Sequence, residues 1–388
     1  MILKLWLLLF VFAENKSFAY PEFIGMGYTG CMTCHFNGAG NGGLNDYGRG
    51  LFAAEIASKL LWNSKKTDES LSAKSGFLGS TNLPYWFRPS IKYRGLNLQK
   101  NPGSKTQKIN KFYQMQEDLN IHVPLNEDQT YLVAVNLGLV PEEIAASPNK
   151  TFSGSHLLSR EYYLRAQVSE NTWIYAGFMD KVFGIRHPDH TAVNRGFLGL
   201  GQNNQVHGLV LHYAKDSHEI FLNPYAGNIQ LKKDQQFPGI NIHYEYEPLE
   251  KLRFGVSYMR DNDTGAKSIN TIGFLVKRGI GSGHSVLAET GIKSLTASST
   301  GEKTNSFYLW TQATMKIIRG VFFQSFMEYL KADTSKISSE NNRMGIGILA
   351  FPFQRFEFRF LGSSSRVLDP TQVSKDTWVF QSQLHLSF

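Results

Sequence analysis

From Tyr85 to the C-terminus, apolar and polar residues alternate with a period of two, in segments divided by turn-forming residues. Ile240, Ile242, Tyr244 and Tyr246 share one face, opposite Asn241, His243, Glu245 and Glu247. Leu252, Phe254, Val256 and Tyr258 repeat the pattern against Arg253, Gly255, Ser257 and Met259, as do Phe356, Phe358 and Phe360 against Glu357 and Arg359. Successive side chains of a strand point to opposite faces, so each segment reads as a strand with one apolar and one polar side. The pattern predicts strands near 85–98, 109–123, 129–139, 157–169, 172–184, 204–214, 217–226, 237–247, 250–260, 268–278, 283–295, 304–318, 320–332, 340–352, 354–365 and 376–388. Short turns near Pro124, Asn171, Asp216, Pro248, Gly281, Arg319 and Gln354 alternate with longer loops, the longest at 140–156 and 185–203. An even strand number with short periplasmic turns and long external loops is the plan of a bacterial outer-membrane barrel. The predicted fold is therefore all-β, a sixteen-stranded antiparallel transmembrane β-barrel over 83–388. The last strand sets Trp378, Phe380, Ser382, Leu384, Leu386 and Phe388 on one face and ends in Phe, the signal read by outer-membrane assembly machinery. A soluble β-sandwich is the competing fold, and the loop asymmetry and this terminus weigh against it.

The chain opens with Lys4, an apolar run from Leu5 to Ala13 and Ser17-Phe18-Ala19, which reads as a signal peptide over 1–19. Residues 20–82 form a separate unit: a glycine-rich stretch from Asn37 to Gly43, a helix predicted from Asn45 to Leu60, and a linker over 63–82 rich in Ser, Lys and Gly. About 43 residues before the linker are near the size below which a domain rarely folds unaided, so the barrel is expected to supply the missing walls. The average composition, 42% hydrophobic with mean hydropathy −0.26, looks soluble. Alternation cancels hydropathy in a barrel just as well, and 13% aromatic residues suit one. After the signal, no apolar run approaches the ~20 residues of a transmembrane helix. The net charge of +8 suits acidic lipid or an acidic redox partner, but it is spread along the chain.

The only two cysteines lie in Cys31-Met32-Thr33-Cys34-His35. This is the spacing at which two thiols join heme vinyl groups and the following histidine ligates the iron, predicting one covalent heme c. A zinc half-site lacks a fourth ligand in this unit, and a redox dithiol would need a βαβ setting that is absent. No Met or His occurs between His35 and Met115, so the second axial position falls to Met26, to a barrel histidine, or to none. Alternation places His122, His243 and His385 on lumenal faces near the periplasmic mouth. As competing readings, Met26 would be an apolar contact and the histidines ordinary hydrogen-bonding residues of a wet lumen. Arg88, Lys92 and Arg94 fall on one face of the first strand and would meet heme propionates, or make the lumen basic. His187, Asp189 and His190 on the loop 185–203 form a candidate external site for a divalent ion such as ferrous iron. A polar constriction loop without metal is the other reading.

Tyr28 to His35, with CMTCH, and the following Leu44-Asn45-Asp46-Tyr47-Gly48-Arg49 resemble the outer-membrane monoheme cytochrome–porin fusion family of iron-oxidising bacteria. The insertion Gly38 to Gly43 departs from that family's more compact pattern. The resemblance implies an N-terminal heme module plugging or capping the periplasmic side of a sixteen-stranded barrel. It implies an outer-membrane electron conduit between an extracellular donor, with Fe(II) leading, and a periplasmic carrier such as a cytochrome, and so a ferrous-iron-oxidising cytochrome. The expected location is the outer membrane of a Gram-negative bacterium, in contact with lipid and open to homo-oligomerisation, with no nucleic-acid partner. The alternative is a solute porin whose heme plug gates the pore or senses redox state; a peroxidase-like enzyme with an open iron site is a third and weaker reading.

Overall fold

The computed structural model describes residues 21–40, 42–59, 65–80, 83–101, 109–139, 157–187, 189, 191–262, 267–336, 339–368 and 376–388. The expected signal peptide and His190 lie outside them.

Sixteen strands close into one antiparallel barrel: β1 (Arg88–Lys100), β2 (Ile109–Pro124), β3 (Tyr131–Leu139), β4 (Leu157–Ser169), β5 (Thr172–Met179), β6 (Val206–Lys215), β7 (His218–Gly227), β8 (Gly239–Leu249), β9 (Leu252–Asn262), β10 (Lys267–Ile280), β11 (His284–Ala297), β12 (Lys303–Ile318), β13 (Val321–Lys331), β14 (Glu340–Phe353), β15 (Phe356–Leu368) and β16 (Thr377–Ser387). Each pairs with its neighbours in sequence, and β1 meets β16 with Lys92 opposite Ser387 and Arg94 opposite His385. Closure leaves no unpaired strand edge, the condition for strands to cross hydrocarbon. The alternation sorts as the sequence predicts. Ile242, Phe254, Phe274 and Phe360 stand exposed on the outer face, while Asn241, His243, Glu245, Arg253 and Arg359 are buried inside.

Strand boundaries agree with expectation to within a few residues, apart from the end of β5. The strand predicted over 172–184 stops at Met179, and the chain turns into the lumen. Lumenal side chains replace the lost strand partners there. Val182 N donates to Asn223 Oδ1 (3.2 Å), Gly184 N to Ser257 Oγ (3.0 Å) and Ile185 N to Glu289 Oε2 (2.6 Å). Gly184 has φ +62°, and a Cβ there would lie 2.3 Å from the Glu289 carboxylate, so the bend favours glycine.

The N-terminal segment occupies the lumen from the short-turn end. A first helix, α1 (Pro21–Ile24), leads to one 3₁₀ turn at Cys31–Thr33. A second helix, α2 (Asp46–Leu51), widens into a π turn over Phe52–Ile56, shorter than the helix expected to Leu60. A third, α3 (Asp68–Ser72), lies in the stretch expected as linker. The three short turns β10–β11, β12–β13 and β14–β15 all grip this segment. Gly283 N donates to Gly25 O (3.0 Å), and Arg319 donates to Ala57 O (2.8 Å), Ala53 O (3.0 Å) and Asp68 Oδ1 (2.8 Å). Arg355 donates to Gly76 O (2.7 Å).

Two lumenal apolar patches receive it. Phe36 packs with Leu132, Ala134, Tyr163, Tyr175, Val210 and Phe221, and Phe23, Met26, Phe52 and Ile56 pack with Phe322, Leu349 and Phe351. These patches bury apolar wall area that an open, wet lumen would leave in water, at roughly 25 cal/mol per Å².

Candidate functional site: a lumenal cavity at the CxxCH segment

The CMTCH turn is built tightly. Cys34 N and His35 N both donate to Cys31 O (3.2 and 3.0 Å), and His35 forms an isolated β-bridge with Leu44. The Leu44–Arg49 segment explains itself in these contacts. Asn45 caps α2 by accepting from Gly48 N (2.8 Å) and donates from Nδ2 to Thr33 O (3.1 Å). A Cβ on Gly48 would sit 2.4 Å from Cys34 O, so this residue lets the helix lie directly on the second cysteine. Asp46 accepts from Arg88 Nε (2.7 Å), and Arg49 donates to Pro89 O (3.4 Å), binding the helix to β1.

The glycine-rich stretch threads between barrel walls. Gly38 N donates to Tyr175 Oη (3.1 Å), Arg165 Nη1 donates to Phe36 O (2.9 Å), and Lys92 donates to Gly42 O. A Cβ at Gly38 or Gly43 would strike His212 or His122 at under 3 Å, so the stretch needs small residues to pass.

Cys31 and His35 line a cavity of about 210 Å³, together with Lys92, Arg94, Arg186, His187 and His385. Cys34 is fully buried. Burial, and then the nearby Cys31, push its thiol up to about 12. The Cys31 thiol is raised as well, by burial against the opposing pull of Lys277. Beneath Cys31 lies a paired charge cluster. Lys277 Nζ donates to Glu245 Oε1 (2.6 Å), and Arg253 bonds Glu219, Glu245 (3.2 Å) and Glu247 (3.0 Å).

The sequence-predicted residues separate into two groups. Lys92, Arg94 and His385 reach the cavity; His385 Nδ1 bonds Glu357 Oε2 (3.1 Å), and its Nε2 has no hydrogen-bond partner. Arg88 instead bonds Asp46 and lies away from the cavity, because α2 puts a carboxylate beside it. Met26 packs in the apolar patch with Phe23 and Phe322 rather than against the cavity. His122 stacks on Phe36 (4.4 Å between ring centroids). His243 has both nitrogens engaged, by Ser257 Oγ (2.7 Å) and Glu245 Oε1 (2.9 Å).

The loop turns inward, as a constriction loop does, and His187 is a buried lumenal residue at 2% exposure, while Asp189 Oδ1 accepts from Thr191 N (2.8 Å) and Thr191 Oγ1 (2.7 Å). Among the described residues no group of three or more His, Cys, Asp or Glu is placed to hold a free metal ion.

Sequence reasoning missed Arg165, Tyr175 and Arg186 as residues that seat or face the segment. Tyr163, Tyr175 and Phe221 carried a readable signal, since each is an aromatic on a face that alternation assigns to the lumen.

No protein-family model and no curated protein sequence matches the chain. Solved structures do. OprB of Pseudomonas putida superposes with a TM-score of 0.61 at 8% identity, covering 78% of this chain and 94% of that one. The trimer form of OmpT of Vibrio cholerae gives 0.59 at 8% identity, over 78% and 99%. The outer-membrane channel DcaP of Acinetobacter baumannii gives 0.57 at 12% identity, over 78% and 97%. At these identities the likeness shows the fold: a porin-type sixteen-stranded barrel.

Proposed function

We propose that this chain is an outer-membrane barrel whose lumen is plugged by its own heme-bearing N-terminal segment, and that it passes electrons between an extracellular donor and a periplasmic carrier. The observation that carries the reading is the placement of CxxCH against a lumenal cavity, inside a segment held by hydrogen bonds or packing to β1, β4, β5 and the turns from β10 to β15. The residues fit a heme: a thiol and an imidazole face the cavity, a buried and a partly buried imidazole also line it, and Lys92 and Arg94 supply cations for carboxylates. Bound heme would supply a one-electron ferric/ferrous couple. In this arrangement Cys31 and Cys34 hold, His35 ligates, Lys92 and Arg94 neutralise, and the apolar patches together with the inward loop shut out solutes.

A second reading is a solute porin with a heme plug that gates or senses redox state, and the porin-type fold speaks for solute passage more directly than for electron transfer. Outer-membrane location and lipid contact follow from either reading; one similar structure is a trimer form.

The test is protein purified from outer membranes of cells carrying the cytochrome maturation system. Expected are a heme-stained band that disappears in Cys31→Ala and Cys34→Ala, reduction by external Fe(II), and liposomes that pass electrons while retaining small sugars. Sugar efflux from those liposomes selects the solute porin. An unstained wild-type band removes the heme from both readings.

A further inference from the structure

At the short-turn rim, the N-terminal segment and the barrel enclose a second cavity that none of the roles above uses. It measures about 420 Å³ and is lined by Lys66, Lys74, Leu78, Phe353, Phe356 and Phe388, a size that suits a small ligand. Its walls have two characters. On the barrel side, alternation puts Phe356 and Phe388 on the outer face, with the exposed Phe360. The Phe356 ring meets those of Phe353 (5.2 Å between centroids) and Phe388 (6.4 Å) at steep angles. These rings lie where a bacterial barrel carries the aromatic girdle at its short-turn end, against lipid. On the segment side stand Lys66 and Lys74, both exposed. Asp68, the acid next to Lys66 in the chain, is already taken by Lys59 (2.6 Å) and Arg319 (2.8 Å).

The groove is fixed by contacts between its two sides. Arg355 donates to Lys74 O (3.3 Å) and Gly76 O (2.7 Å) while its guanidinium lies over the Phe388 ring (5.6 Å), and Gln354 Nε2 donates to Lys74 O (2.9 Å). Leu78 lines the same groove and is 68% exposed. Cations set beside outward-facing apolar side chains, at the level of the membrane surface, match an anionic head joined to apolar tails. We propose that this groove binds a glycerophospholipid of the leaflet around the short-turn end, its phosphate held by Lys66 and Lys74 and an acyl chain packed on Leu78, Phe356 and Phe388. Free phosphate would leave those three apolar side chains uncovered, and a tail without a phosphate would leave the two lysines unused. The bound lipid ties the segment to the barrel wall, whatever the lumen carries.

The experiment is native mass spectrometry on the full-length protein, delipidated in detergent and titrated with dioleoyl phosphatidylglycerol. Dioleoylglycerol and inorganic phosphate serve as the two partial probes. The wild type is expected to take up a single phosphatidylglycerol saturably, to bind dioleoylglycerol far more weakly, and to keep its lipid in millimolar phosphate. The double variant Lys66→Glu/Lys74→Glu is expected to bind about thirtyfold more weakly, the worth of two surface cations beside an anionic lipid. Leu78→Asn is expected to weaken binding as well; asparagine tolerates the φ of +49° at that position. Lys65→Glu, at an exposed lysine that does not line the groove, is expected to match the wild type. An unchanged double variant, or an equal loss in Lys65→Glu, overturns the site. Displacement of the lipid by inorganic phosphate makes it a plain anion site, and equal binding of dioleoylglycerol removes the lysines from it; either result overturns the proposal.

Discussion

Phe36, directly after the CMTCH motif, shows how a single side chain seats the plug. It is 2% exposed, stacks on His122 and joins the patch of Leu132, Tyr163, Tyr175 and Phe221. Phe36→Ala leaves a cavity against walls that cannot collapse, at a cost of roughly 3–5 kcal/mol. The expected outcome is an intact barrel whose N-terminal segment is cut by protease many-fold faster than in the wild type, read on detergent-solubilised protein; unchanged cleavage would mean that the turn contacts alone hold the segment. The cysteines carry a second expectation. With the Cys34 thiol raised to about 12, heme-free protein should resist alkylation at pH 8 and react once unfolded, as mass spectrometry would show, because the thiolate is the nucleophile. The sign for stability follows. A thiol whose folded value is raised stays neutral in the fold, so its contribution is complete below about pH 8.5, the ordinary thiol value, and is lost as pH rises towards about 12. Heme-free protein should therefore loosen at alkaline pH, and thioether formation should abolish that loss.

At the scale of elements, the strands were legible because two-residue alternation and turn residues are local signals, and β8, β9 and β15 read directly from their sequences. What alternation could not tell was where a strand leaves the wall. Residues 182–185 keep an apolar character with Val182, Phe183 and Ile185, yet their backbone partners are Asn223, Ser257 and Glu289, three side chains far along the chain. Only the closed barrel brings them together. For the same reason the sequence leaves His187 open between an external ion site and a constriction loop, and the structure buries it against Trp310. The glycine at 184 is the hinge of this turn, so Gly184→Val should expel the loop: a Cβ would collide with Glu289, and φ +62° disfavours a β-branched residue. Planar-bilayer conductance is the measurement, and an increase over wild type is expected. No change would show that the loop does not narrow the pore.

At the scale of the whole molecule, the barrel and the segment within it are complementary surfaces rather than a pore with an added lid. In a barrel of this size a lumen lined by polar residues would hold water, but here the inner face carries Tyr163, Tyr175, Phe221, Phe322, Leu349 and Phe351 where the segment packs. The strand ladder closes without help from the segment, since every strand pairs only with other strands. Removing residues 20–82 should therefore leave a barrel that inserts into outer membranes and shows the heat-modified mobility of a folded porin-type protein, while its conductance rises and small sugars escape from liposomes. It should also bind apolar dyes in the lumen that the intact protein excludes, because the two patches would then face water. If the truncated chain fails to fold, the segment is part of the barrel's folding core; if it folds but stays closed to sugars, the inward loop alone seals the lumen, and the segment is not needed to close the pore.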